Sequence, residues 1–150
     1  MSRAALLLVL PMLLACTPAE EEAPMADTTA MTAEAPAPLN YAGNWTVTSM
    51  PEDRDTVLVT YDLVATNDQS GWTTTLPGRE TQPLRIVSIS GDSVVSELGP
   101  FESVLRPNVM VTTHTTLRPE GDRLVGTTIA RYATTGADSV TILRVQATRK

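Results

Sequence analysis

VMVTTHTTLR (residues 109–118), PEGD (residues 119–122) and RLVGTTIARY (residues 123–132) follow one another without interruption. The first run alternates. Val109, Val111 and Leu117 fall on one face, and Met110, Thr112, His114, Thr116 and Arg118 fall on the other. A period of two with Val and Thr enrichment indicates a half-buried strand, since β-branched side chains fit a pleated surface. Gly121-Asp122 is hairpin punctuation, because Gly and Asp tolerate the backbone of a tight turn. The stretch therefore reads as two antiparallel strands, and the apolar face of each must find a core.

The same pattern extends in both directions. TGAD at residues 135–138 turns into a last strand at 139–148. Upstream, strands are expected at 44–50, 56–66, 72–76, 84–89 and 93–98, each closed by a turn signal such as Gly71, Pro77-Gly78, Gly91-Asp92 or Gly99-Pro100. In the second of these, Val57, Val59, Tyr61, Leu63 and Ala65 share a face, though Leu58 and Val64 break the alternation. Residues 101–108 form a linking stretch, and no long run has helical period. Eight short antiparallel strands in sequence imply an all-β meander over residues 41–150. A meander of this size removes its open edges by closing into a barrel. The interior of an eight-stranded barrel is filled by side chains or holds one small ligand. An immunoglobulin-like sandwich is the alternative.

Gly43-Asn44-Trp45 opens the first strand. It resembles the Gly-x-Trp of lipocalins and avidins, the calycin barrels. The resemblance implies that Trp45 closes the barrel base against a basic side chain of the last strand, for which Arg144 and Arg149 are available. The loop at residues 51–55 is much shorter than a lipocalin lid, and no C-terminal helix is evident. Both departures favour a compact, avidin-like or half-open barrel. If it is hollow, Tyr61, Trp72 and Tyr132 are the candidate pocket lining, because ligand sites are mostly apolar with a few polar groups.

The full chain has 150 residues and a net charge of −6. Glu20, Glu21, Glu22, Asp27 and Glu34 precede the domain, which leaves twelve acids and ten bases from Tyr41 onward. A nearly neutral domain lacks the basic face that nucleic acid requires.

Arg3 and the apolar run at residues 4–14 have the form of a secretory signal. The run is too short for a spanning helix, which needs roughly 20 apolar residues. It ends in Leu13-Leu14-Ala15-Cys16. This resembles the lipobox of bacterial lipoproteins. The resemblance implies cleavage between Ala15 and Cys16, a diacylglyceryl thioether on Cys16 and acylation of its new amino group, so the membrane is a partner through acyl chains. Thr17, where Asp would signal inner-membrane retention, points to the outer membrane with the domain in the periplasm. Residues 16–40, rich in Ala, Pro, Thr and Glu, cannot bury enough apolar surface to fold and read as a disordered tether. At ~3.1 Å per residue such a segment reaches ~70 Å.

Chemistry-bearing motifs are few. His114 is the only histidine and Cys16 the only cysteine, which is too little for a usual zinc site. Ser103 beside Glu102 reads as a turn serine, without a nucleophile elbow. Asp53 and Asp55 supply too few oxygens for calcium. The Thr residues at 73–75, 112–116 and 127–128 are expected mostly on the solvent face. No cofactor motif is present. Three readings stay open: a barrel that binds a small apolar or amphipathic ligand; a solid barrel acting as a structural module on another envelope protein; or an enzyme in which Glu102, Ser103, His114 and Arg131 would have to converge.

Overall fold

The structure, a computed structural model, describes residues 40–150. The signal segment, Cys16 and the tether up to residue 39 lie outside the described residues. Nine strands follow in chain order: β1 (Gly43–Pro51), β2 (Val59–Ala65), β3 (Thr73–Thr75), β4 (Thr81–Pro83), β5 (Arg85–Ser90), β6 (Ser93–Glu102), β7 (Met110–Glu120), β8 (Arg123–Tyr132) and β9 (Val140–Arg149). A 3-10 turn, Ala137–Ser139, precedes β9. Among the described residues no helix is long and apolar enough to cross a membrane.

All nine strands form one antiparallel sheet in the order β4-β3-β2-β1-β9-β8-β7-β6-β5. Its two ends are consecutive in the chain. β4 pairs with β3 and β5 pairs with β6, and only Leu84 separates β4 from β5. One extended run thus serves both edges, and the amide of Leu84 donates to the Trp72 carbonyl at 2.8 Å. The meander becomes a nearly closed barrel, and the sandwich alternative does not apply.

The ninth strand is the difference from the sequence expectation. Thr81-Gln82-Pro83 has no apolar alternation, and proline ordinarily demotes a run from strand status because it cannot donate to the ladder. Here the run sits at the sheet edge, where proline is tolerated. Three other boundaries also move. Gly99-Pro100 does not close the strand that begins at Ser93: β6 continues to Glu102, with only a register shift between Leu98 and Phe101, so Gly99-Pro100 marks an irregularity in the ladder and not a turn. β2 begins at Val59, and Val57 and Leu58 are left exposed in the preceding loop. β7 runs on through Pro119 and Glu120, which pair with Leu124 and Arg123. The turn shrinks to Gly121-Asp122, with Gly121 at φ 66° supplying the left-handed backbone.

Inward side chains follow strand parity. Trp45, Val47, Leu63, Ala65, Trp72, Val94, Leu117, Leu124, Val145 and Ala147 form the main core, joined by Tyr41 from the lead-in segment. Trp45 is 2 % exposed and Ala147 0 %. A smaller cluster of Val111, Ala130 and Tyr132, with Phe101 and Val109 against it, occupies the other end.

Candidate functional site

The first end of the barrel is solid. Trp45 enters at the start of β1, and its indole Nε1 donates to the Tyr41 carbonyl at 2.9 Å. The Arg149 guanidinium lies over the indole, 4.3 Å from the ring centre. It also donates to the carbonyl of Ala42 at 2.7 Å. Gly43 has φ 148°, a backbone conformation that favours glycine, and a Cβ there would displace the Arg149 guanidinium from its place over the indole. A cation over an indole contributes ~0.5–2 kcal/mol, more as water is excluded.

Arg144 is not at this base. It projects from the opposite face of β9 and ties down the loop after β1, donating to the Arg54 carbonyl at 3.0 Å and to Asp55 Oδ1 at 2.6 Å. Trp72 belongs to the solid end as well. It packs against Tyr41 with ring centres 5.9 Å apart, and its Nε1 donates to the Thr66 carbonyl. Trp72 is therefore core and not cavity lining, in contrast to the sequence expectation.

Further along the barrel the packing opens into an interior cavity of about 90 Å³ whose walls take residues from both clusters. Leu63, Leu98, Val111, Ala130 and Leu143 supply apolar surface. Tyr61 and Tyr132 both line it. Among these walls runs a belt of hydroxyls: Ser49 on β1, Thr74 on β3, Ser96 on β6, Thr113 and Thr115 on β7, and Thr128 on β8. Thr113 and Thr115 point inward by strand parity with Val111 and Leu117; with Thr74 and Thr128 they make four of the nine threonines at 73–75, 112–116 and 127–128 that line the cavity, the exceptions to a set expected mostly on the solvent face. Thr112, Thr116 and Thr127 do alternate to the other face.

Most belt hydroxyls are satisfied within the wall. Thr74 Oγ1 donates to the Asp62 carbonyl at 3.0 Å, and the Thr115 and Thr128 hydroxyls meet at 2.8 Å. Burial pushes the Tyr61 phenol up to about 12, and a hydrogen bond with Ser49 offsets part of that rise. A hydroxyl whose proton is spent still has lone pairs, so the belt can accept a hydrogen bond from a guest. Among the described residues no Asp, Glu, Lys, Arg or His lines the cavity. An ion brought inside would lose its hydration without a counter-charge, which is costly enough to exclude it.

Residues 102–109 fold over the open end as a strap. The Ser103 hydroxyl accepts from the amides of Leu105 and Arg106, each at 3.0 Å. Glu102 accepts from the Asn108 amide at 3.0 Å. Val104 and Leu105 face the cavity. Arg106 pins the strap: its guanidinium sits 3.9 Å from the centre of the Tyr132 ring and donates to the Asp138 carbonyl and to Thr141. The linking stretch gave no sequence signal for this role.

The residues an enzyme would need are dispersed. Ser103 lies inside and spends its oxygen on the strap. His114 lies on the outer face of β7, where Nε2 contacts Glu97 Oε2 at 2.6 Å. The Arg85 hydrogen bond, then Arg85 and His114 charge, hold the Glu97 carboxyl below its usual range. Arg131 is exposed on β8, Asp53 pairs with its neighbour Arg54, and Asp55 with Arg144. Among the described residues no three His, Cys, Asp or Glu side chains form a group fit for a metal.

No family model, curated protein or solved structure matches this chain. Function has to be argued from the cavity itself.

Proposed function

We propose that this chain is an envelope lipoprotein whose calycin-like barrel holds a small, neutral, largely apolar ligand bearing one hydrogen-bond donor. The observation that carries the reading is the interior cavity of about 90 Å³, apolar in most of its wall, belted by hydroxyls and free of charge. A space of that size takes several waters or one compact organic group. It is below the several hundred Å³ of sites for drug-sized molecules. The guest is therefore small, or it inserts only its apolar tip.

The location half of the proposal rests on Leu13-Leu14-Ala15-Cys16, which fits lipid attachment at Cys16 and outer-membrane anchoring with the domain in the periplasm. The calycin half rests on Gly43-x-Trp45 with Arg149 stacked on the indole at the closed end of a meander barrel.

Native mass spectrometry of the full-length protein, extracted gently from envelopes, tests the ligand. The expected result is a mass excess over the acylated chain that disappears on denaturation. A bare acylated mass, with no adduct on adding short-chain alcohols, overturns ligand binding. For location, Cys16→Ser is expected to move the protein from the membrane to the soluble fraction, and retention on membranes contradicts the anchor.

A further inference from the structure

The strand register resolves the interior cavity into layers. Ser96, Thr115 and Thr128 stand side by side on β6, β7 and β8 and form its floor. The next inward layer on the same strands is Leu98, Thr113 and Ala130. Above it come Phe101, Val111 and Tyr132, with the register shift in β6 bringing Phe101 into line. Val104 and Leu105 of the strap close over this last layer. The cavity therefore runs from a hydroxyl floor to a largely apolar roof.

The belt hydroxyls are not equally free. Thr115 and Thr128 bond each other, and Ser96 Oγ reaches the Thr115 carbonyl at 3.4 Å. Thr74 donates to the Asp62 carbonyl, and Ser49 bonds the Tyr61 phenol. Among the described residues Thr113 is the belt hydroxyl with no such partner. It stands one layer above the floor, between the buried Leu98 and Ala130. Its proton and its lone pairs are both available, so it can donate to and accept from one guest hydroxyl. A guest hydroxyl held higher, among Phe101, Val111 and Leu105, would give up its bonds to water without replacement. The Ser103 oxygen at that level already accepts two amides.

We propose that the guest is seated head first, with a terminal hydroxyl on Thr113 and a short alkyl tail under Phe101 and Leu105. The inference rests on the interior site proposed above and names its ligand class, short primary alcohols. The strap sets the length of the tail. Its first turn is fixed by the amides of Leu105 and Arg106 on Ser103. The Arg106 guanidinium then holds it to the Tyr132 ring and to Thr141. A strap pinned in this way does not yield to a longer tail, and Leu105 is the side chain that such a tail meets.

The test titrates full-length protein calorimetrically with 1-butanol, 1-hexanol and 1-chlorobutane, which keeps the butyl chain and has no donor. Thr113→Val is expected to weaken 1-butanol about tenfold, as for one lost hydrogen bond, and to leave 1-chlorobutane unweakened. Thr113→Ser, which restores the hydroxyl, is expected to recover that loss. Thr112→Val, on the outer face of the same strand, is expected to bind like the parent. Leu105→Ala is expected to tighten 1-hexanol relative to 1-butanol about tenfold, from two more methylenes buried. In NOE spectra the terminal methyl of 1-butanol should meet Leu105, and its carbinol methylene should meet Thr113. The proposal is overturned, with the interior site left standing, if Thr113→Val weakens 1-butanol and 1-chlorobutane alike or no more than Thr112→Val does. The same holds if Tyr132→Phe removes 1-butanol binding and Thr113→Val does not, if Leu105→Ala leaves the ratio of the two alcohols unchanged, or if the NOE contacts are reversed. No saturable binding of any probe overturns the interior site and this inference with it.

Discussion

The two ends of the barrel share the same strands and the same alternation of side chains, yet one is solid and the other hollow. At the solid end the inward positions are Trp45 and Val47 on β1, Val94 on β6, Leu117 on β7 and Leu124 on β8. Moving along each strand towards the other end, the inward residue becomes Ser49, Ser96, Thr115 and Thr128. The change is one of side-chain volume and polarity, not of backbone. Large side chains at the base interdigitate around an indole, while four short hydroxyl side chains at the waist cannot fill the same cross-section. They can, however, bond to one another and to the wall, as Thr115 does to Thr128 at 2.8 Å. The lesson is that a barrel can keep its stability at one end and place its cavity at the other without altering its strand number.

This contrast can be broken at either end. The largest effect is expected from Trp45→Ala. Removing an aromatic side chain that is 2 % exposed leaves a void that the closed strand ends cannot collapse, at a cost of ~3–5 kcal/mol. Chemical denaturation of the variant should show that loss with an unchanged m-value. A smaller loss would mean that the base is not the stabilising end.

The next effect is a pH dependence at the waist. The Tyr61 phenol is raised by burial from its ordinary value of 10.0 to about 12. In the unfolded chain it ionises near 10, whereas in the barrel it stays neutral until about 12. Its contribution is therefore complete below pH 10 and is lost as pH rises towards 12, by roughly 2–3 kcal/mol. Tyr41, also raised by burial and by the Asp92 charge, acts in the same direction. Comparing stability at alkaline pH with Tyr61→Phe isolates the Tyr61 share. Identical pH profiles for parent and variant would show that the phenol is solvated.

The smallest effect sharpens the account of the belt. Thr128→Val removes one partner of the Thr115 hydroxyl and is expected to cost ~1–2 kcal/mol, because an unpaired buried hydroxyl carries its desolvation penalty. Thr115→Val combined with Thr128→Val removes both and is expected to recover most of that loss. A double variant as unstable as the sum of the singles would mean that the two hydroxyls do not depend on each other.

Much of this architecture was legible in the chain, and part of what was missed was legible too. The hairpin formed by β7 and β8 follows from its alternation and from Gly121-Asp122. Strand parity alone also separates Arg149, on the side of Leu143, Val145 and Ala147, from Arg144 on the outer side. The same parity puts Thr113 and Thr115 with Val111 and Leu117. Composition argues the other way, since threonine on a strand is so often a solvent residue, and composition is the weaker signal when a face is already defined. Other features depend on tertiary closure. Leu84 bridges the sheet edges only once the barrel has curled. The strap gains its role only when Arg106 finds Tyr132 and the turn before β9.

The measurement that bears most directly on the hollow waist is a methyl NMR titration of the full-length protein with 1-butanol, and with butyrate as the charged counterpart. The account predicts saturable shifts at Leu98, Val111 and Leu143 with 1-butanol, and none at Val47 or Leu124. Butyrate should produce no such shifts, and all of them should be lost in Ala130→Leu, whose added methyls occupy the cavity. Unmoved waist methyls at saturating 1-butanol, or equal shifts at both ends, would contradict a barrel built solid at the Trp45 end and open to a small neutral guest at the other.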